Sequence, residues 1–260
     1  MGDRQTAPDE LREGTAGTAT GSDYDQAYYH GGGKSNYVDY AGQAAVVEGY
    51  WFPLIERYRK GLGGTGTGRM LDVGCAYGFL VDTYRRRGWD ADGCDISSFA
   101  INEGARRGIT GLRLGPLPAL QYPAGAYDLV TCLDVIEHLT PDVYREYLAE
   151  FHRVLRPGGI ALIATPNAID CSGYNVFSPD WVEGDETHIN YRSSSELATD
   201  CGAFARVVVH GASPTRGMFG SFRPFSRLPR RANGLIRWFL WHVFGNDLQH
   251  ATYLIAAARR

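Results

Sequence analysis

Arg69–Val81 reads "RMLDVGCAYGFLV", and the order of its parts decides the fold. A short apolar run, Met70 to Val73, stops at Gly74, and a second glycine, Gly78, opens the helix-like "GFLVDTYRRRG". An apolar run too short for a helix, then glycine, then helical spacing, is a strand, a tight turn and a helix. The alternation repeats downstream. "WDADGCDIS" is followed by "SFAINEGARRG", and "AYDLVTCLDV" by "TPDVYREYLAEFHRVL", which is capped at Thr140 with Pro141 in its first turn. "RPGGIALIATPN" is a further strand; after a long loop come a helix, "SSSELATDCGAF", and two late strands, "ARVVVHGAS" and "TYLIAAARR". Strands alternating with helices of this length require crossover connections, so the expected fold is α/β: a doubly wound parallel sheet with helices on both faces.

The bulk numbers agree with one large globular unit. The chain has 260 residues, 44% hydrophobic, and a formal net charge of -3, which gives no case for a general polyanion binder. No apolar run is long enough to span a bilayer. The first residues, "MGDRQTAPDELREGTAGTATGSD", carry acids and no apolar core, unlike a secretory signal. Five cysteines (75, 94, 132, 171 and 201) form no CxxC pair, which fits reduced thiols and a cytoplasmic location. Residues 1–22 read as a disordered tail, 23–64 as aromatic-rich N-terminal helices laid over the main domain as a lid, and 65–260 as the main domain with an insert at 214–250.

Ligands of open parallel sheets sit outside the carboxyl ends of the strands, where glycines at 74 and 78 would permit a tight turn and close backbone approach. A dinucleotide fingerprint, G-x-G-x-x-G, fails here, because Ala76 and Phe79 stand where its second and third glycines belong. That counts against a nicotinamide-dependent oxidoreductase. The spacing present is D-x-G-x-x-x-G, from Asp72 to Gly78; with Asp95 closing "GCDIS", and with "AYDLVTCLDVIEHL" and "RVLRPGGIALIATPN" in order, it resembles the class I S-adenosylmethionine-dependent methyltransferases over about residues 65–210. The resemblance implies a Rossmann-like, seven-stranded sheet whose last strand is antiparallel, and S-adenosyl-L-methionine as cofactor. It implies a methionine-side contact at Asp72, Gly74, Cys75, Ala76 and Gly78, ribose hydroxyls on Asp95 beside Ile96, and further contacts at Leu117 and Leu133. Relatives carry an acid toward the adenine amine where this chain has Pro116, so the base would rest on backbone near Leu117 and on apolar packing.

"DVIEH" raises a second chemical question, since Asp134, Glu137 and His138 stand at the end of an apolar strand. On a helix, i, i+3 and i+4 share a face, so the three would converge. The bland alternative is a capped turn with a packed histidine. Acid-x-x-Glu-His, then Thr-Pro-Asn, then a distant His188, resembles two metal-using branches of the family: ubiquinone-pathway O-methyltransferases and small-RNA 2′-O-methyltransferases. That resemblance implies a divalent metal held by Asp134, Glu137, His138 and His188, with Asp134 one methylene shorter than the usual glutamate. Mixed carboxylate and imidazole donors suit Mn²⁺, Fe²⁺ or Zn²⁺ better than Mg²⁺, and the ion would acidify the attacking hydroxyl of a vicinal diol. Without metal, His188 or His138 is the candidate general base, with Glu137 beside it.

The expected acceptor is the hydroxyl of a small molecule in bacterial secondary metabolism, the latter from an arginine-rich chain with lysine only at 34 and 60. N- or C-methylation, an RNA 2′-O-methyltransferase, and a catalytically silent cofactor-binding partner stay open. Tyr28, Tyr29 and His30, and Tyr174, Phe177 and Trp181 in the loop 168–192, are candidate substrate contacts or plain packing. The insert carries Arg216, Arg223, Arg227, Arg230, Arg231 and Arg237 with no acid from Cys201 to Asn246. Its apolar part, 232–244, would cover a sheet edge or a dimer contact, line an anion site, or rest peripherally on anionic lipid. Nucleic acid is the weakest partner.

Overall fold

The computed structural model describes residues 19–32, 35, 37–168, 187–212 and 253–260. Seven strands form one sheet: β1 (Arg69–Val73), β2 (Asp90–Asp95), β3 (Leu112–Leu114), β4 (Tyr127–Leu133), β5 (Leu155–Pro166), β6 (Arg206–Ala212) and β7 (Tyr253–Arg259). Their spatial order is β3-β2-β1-β4-β5-β7-β6. β7 runs antiparallel to both of its neighbours, and β1 to β5 pair in parallel. The seventh strand and the reversed last one agree with what the resemblance implied. Pattern alone marks six strands, because β3 is three residues long and two of the three are exposed.

Helices follow the strands as the alternation required. α1 (Gln26–Tyr29), α2 (Gln43–Val46) and α3 (Phe52–Gly61) precede the sheet, and a π-helical turn, Val47–Trp51, joins the last two. α4 (Phe79–Arg85), α5 (Ser98–Arg106) and α6 (Pro141–Val154) are the crossovers; α7 (Ser194–Asp200) starts at a capping box between Ser193 and Glu196. α6 shows why the sequence folds this way. Tyr144, Tyr147, Leu148, Phe151 and Val154 recur at helical spacing and are its buried residues, while the charges between them face out.

Successive strand residues point to opposite faces, so each strand feeds two cores. Leu71, Val73, Val130 and Ile163 pack with Phe151 and Leu155 on one face. Met70, Leu129 and Leu162 pack with Leu80, Tyr84 and Ile55 on the other. A sheet buried on both faces fixes where a ligand can go: only the strand ends remain. β1 lies between β2 and β4, and the register Val73↔Cys94 and Val73↔Cys132 brings three carboxyl ends level at the point where the chain reverses its winding.

The segment before the sheet closes over that point. Tyr24, Tyr28 and Tyr29 pack with Tyr77, Ala76 and Ala100 in a third apolar cluster. Within the expected tail, residues 19–22 belong to a turn in which the Asp23 N–H donates to the Thr20 carbonyl at 3.0 Å; residues 1–18 lie outside the described residues. So do the insert 214–250, with its apolar stretch 232–244, and Tyr174, Phe177 and Trp181 of the long loop. Among the described residues no helix is long and apolar enough to cross a membrane, and Cys75, Cys94, Cys132 and Cys201 are buried free thiols.

Gly74 has φ +74°, in the left-handed region, and a Cβ on it would overlap the Val135 Cγ2 methyl. Gly74→Ala is expected to lose about 2–4 kcal/mol of stability, left-handed strain and overpacking together. Urea unfolding of the two proteins would show it, and an unchanged midpoint would mean that the loop relaxes freely.

Candidate active site

The cleft at the carboxyl ends of β1, β2 and β4 encloses ≈ 1130 Å³, counting its open mouth. Its floor is Asp72, Val73, Gly74, Cys75 and Ala76 from the end of β1 and the loop after it. One side is Cys94, Asp95 and Ile96; the other is Leu133, Asp134 and Val135; Gly115, Leu117 and Tyr147 close the far end. Tyr24, Tyr28, Tyr29, Tyr37 and Tyr40 wall it from the N-terminal segment, with Val47 and Trp51 from the π-helical turn.

Nearly all the residues expected to meet a cofactor therefore lie on one surface: Asp72, Gly74, Cys75, Ala76, Asp95, Ile96, Leu117 and Leu133. Gly78 is the exception. It does not line the cleft; it precedes α4 at φ +79°, where a Cβ would come within 2.7 Å of Leu112 Cδ2. The close approach expected there is made by a protein side chain, as is the one at Gly74.

Two buried carboxylates organise the floor. Asp95 accepts the Ala76 N–H at 2.8 Å and the Ser97 N–H at 2.8 Å. Burial raises its pKa against the pull of those N–H groups. Asp72 accepts the Thr131 hydroxyl at 2.6 Å, and burial, opposed by that bond and reinforced by Asp95, lifts it to about 7.

Beyond Leu133 the backbone turns sharply. Asp134 has φ +54°, and a 3-10 turn, Ile136–His138, follows. Glu137 and His138 are buried, and with His188 their donor atoms all lie within 4.8 Å of one another. The long loop returns to this spot because the N–H groups of Ile189 and Asn190 both donate to the Glu137 carbonyl, at 2.8 and 2.9 Å. Thr165 donates to Glu137 Oε2 at 3.0 Å, while Oε1 has no partner among the described residues. His138 Nδ1 is 2.8 Å from Thr187 Oγ1, and its ring meets His188 edge-on at 4.6 Å. Burial, then the neighbouring Asp134 carboxylate, push the Glu137 carboxyl upward; His188 pulls it back.

Asp134 is not in that group. The expectation of one helical face fails because Asp134 precedes the turn in a left-handed conformation, so i, i+3 and i+4 geometry does not hold across it. It lines the cleft, as His138 also does, within reach of the charge of His188, and takes a hydrogen bond from Tyr253. Thr165, Thr187, Asn190 and Tyr253 escaped the sequence reading, since only the folded sheet brings these distant residues to Glu137 and Asp134. Tyr24, Tyr37 and Tyr40 were legible as aromatic crowding and nothing more.

A parallel sheet with a reversed last strand, opening at its switch point onto a carboxylate-floored cleft, is the architecture of class I S-adenosylmethionine-dependent methyltransferases. A family model described as a methyltransferase domain matches residues 45–204, more than half of the chain, which therefore belongs to that family. A probable S-adenosylmethionine-dependent methyltransferase of Mycolicibacterium smegmatis is 34% identical over 58% of this chain and 54% of its own length. A ubiquinone biosynthesis O-methyltransferase of Acinetobacter baylyi is 30% identical over 44% of this chain and 48% of its own. The chain thus spans about half the length of the curated relatives it matches. Among solved structures, a SAM-dependent methyltransferase from Archaeoglobus fulgidus shares the fold with TM-score 0.56 and 19% identity, covering 85% of this chain and 99% of that one.

Asp72 gives a pH test. Its folded pKa is raised from 3.8 to about 7, so its favourable contribution is full below the unfolded value and is lost as pH rises through about 7. Asp72→Asn cannot lose it. Without cofactor, the variant's melting temperature should rise relative to the parent's between about pH 4 and 7, and the difference should level off above that. A constant difference across that window would show that Asp72 does not titrate there.

Proposed function

We propose that the protein transfers the methyl group of S-adenosylmethionine to a hydroxyl of a small molecule. The observation that carries this is the convergence of Glu137, His138 and His188 on one point beside the cleft. A hydroxyl is a weak nucleophile until its proton is taken. Two imidazoles, with a buried carboxylate to hold the resulting charge, are groups fitted to take it near neutral pH. Asp72, Asp95, Ile96 and Leu117 would fix the cofactor, leaving its methyl toward Asp134 and His138, so that transfer needs little beyond in-line placement. The name of the Acinetobacter relative supports oxygen as the acceptor atom.

A divalent metal fits the same three residues. One buried carboxylate oxygen without a partner among the described residues stands beside two imidazoles, a mixed donor set of the Mn²⁺, Fe²⁺ or Zn²⁺ kind. When bound, such an ion would lower the pKa of a coordinated hydroxyl. The composition supports bacterial secondary metabolism as the setting.

S-adenosylhomocysteine should raise the melting temperature of the wild type and leave Asp95→Ala unmoved. Glu137→Ala should keep that affinity and lose at least ~100-fold in methyl transfer to a dihydroxyphenyl probe. Chelation followed by Mn²⁺ add-back separates a metal role from a base role. A wild type blind to S-adenosylhomocysteine would end the proposal.

A further inference from the structure

The turn that carries Glu137 and His138 cannot hold itself. Ile136–His138 is three residues of 3-10 helix, enough to bring the His138 N–H onto the Val135 carbonyl at 3.0 Å and the Leu139 N–H onto that of Ile136 at 3.3 Å. The last carbonyls of so short a helix need donors from elsewhere. All three residues are buried, so the protein itself must supply them.

The donors come from residues 187–192. Ile189 and Asn190 give their backbone N–H groups to the Glu137 carbonyl, at 2.8 and 2.9 Å. The Asn190 side-chain amide gives a third hydrogen bond, to the Ile136 carbonyl at 3.1 Å. Asn190 is buried and supplies two of the three bonds. Thr187 Oγ1 adds its contact with His138 Nδ1 at 2.8 Å. His188 stands between Thr187 and Ile189, so the same bonds place its ring edge-on to that of His138, 4.6 Å away.

The far end of this stretch is fixed separately. Arg192 bridges Asn167, just past the end of β5, and its carbonyl accepts the Ala168 N–H at 3.1 Å. Its guanidinium meets Asp200 of α7 at 3.1 Å and lies over the Tyr144 ring of α6 at 5.0 Å. Residues 187–192 are thus a tether from β5, α6 and α7 to the turn, and Asn190 is where the tether takes hold. Asn190 does not itself line the cleft, so its effect on chemistry there passes through Glu137, His138 and His188.

We propose that Asn190 is a positioning residue for methyl transfer: it holds the turn bearing Glu137 and His138 at the separation from His188 that activation of the acceptor requires. The backbone N–H ties the tether to Glu137, and the side-chain amide fixes the turn one residue earlier. The inference rests on hydroxyl activation by Glu137, His138 and His188 as proposed above, and adds the residue that keeps the three together.

Side-chain substitution separates the two bonds. Asn190→Ala keeps the backbone N–H and loses only the amide, and Asn190→Asp keeps the size of the side chain without its donor. Methyl transfer to 3,4-dihydroxybenzaldehyde is measured in the full chain, with and without His188→Ala, at a temperature where circular dichroism shows every variant folded. Asn190→Ala should lower kcat by about 10- to 100-fold, the effect of displacing activating groups by about an ångström. KM for the probe and S-adenosylhomocysteine affinity should stay within about twofold. Asn190→Asp should lose at least as much as Asn190→Ala. In the His188→Ala background the alanine change should cost less than about threefold, because the group it places is gone. A residue serving stability alone would cost the same factor in both backgrounds. Hydrogen exchange supplies a readout that needs no acceptor: in Asn190→Ala the amides of residues 187–192 should exchange at least ~10-fold faster while those of β4 and β5 keep their rates. An unchanged kcat, an equal loss in both backgrounds, a parallel fall in S-adenosylhomocysteine affinity or unaltered exchange at 187–192 would each overturn the inference. A wild type inactive on the probe, or His188→Ala as active as the wild type, removes the hydroxyl-activation reading and the inference with it. An active, His188-dependent wild type that is indifferent to Asn190→Ala removes the inference alone.

Discussion

The hydrogen bond from the Ala76 N–H to Asp95 is the contact on which the cleft depends. It joins the loop after β1 to the end of β2, and it holds Ala76 at φ +46°, a conformation that a residue with a Cβ adopts at a cost. The same strand end carries Ser97, whose hydroxyl donates to the Tyr24 carbonyl at 2.6 Å and so hangs the N-terminal segment over the cleft. Asp95 therefore sets the loop directly and, through Ser97, positions part of the roof. Among the described residues its stabilising contacts are backbone N–H groups and no cation. A carboxylate offers about four lone-pair sites, and backbone N–H groups of Ala76, Ser97 and Ile96 bear on this one, so its charge is held by the loop and the strand end together.

The strand–helix alternation made the fold legible because a doubly wound sheet writes itself into sequence as period and punctuation. What escaped was set by tertiary contact. β3 hid because three residues at a sheet edge, Leu112 to Leu114, carry too little burial to leave a pattern. The glycines at 74 and 78 were legible as turn residues, which their left-handed φ bears out, while the packing of Val135 and Leu112 against them was not. Glu137 and His138 were found by motif, and His188 by its place in a long loop. Asp134 was grouped with them by a helical rule that a three-residue 3-10 turn does not obey.

The charge of the cleft follows from these placements. Asp72, Asp95 and Asp134 line it, and among the described residues no arginine or lysine does. Burial drives all three upward in pKa, which is the response of acids held in low dielectric without cations of their own. Such a surface favours a cationic guest. A sulfonium donor with an ammonium tail supplies that charge, and by linkage its arrival draws the carboxylates back toward ionisation. Cofactor binding should then be stronger where the acids are already ionised.

The tyrosine wall extends the same logic. Tyr28, Tyr29, Tyr37 and Tyr40 pack edge-to-face and stacked on one another, and Tyr29 and Tyr40 meet Tyr77 at 5.3 and 4.9 Å. Burial raises the hydroxyls of Tyr29 and Tyr40 well above their ordinary value, so that at neutral pH the wall adds no charge and its ring faces stay available. Aromatic faces attract a desolvated cation at little cost in side-chain freedom. Carboxylates beneath and tyrosine rings above thus favour positive charge from both sides, and His138, edge-on to Tyr24 at 5.6 Å, carries that lined surface through to the cluster of Glu137 and His188.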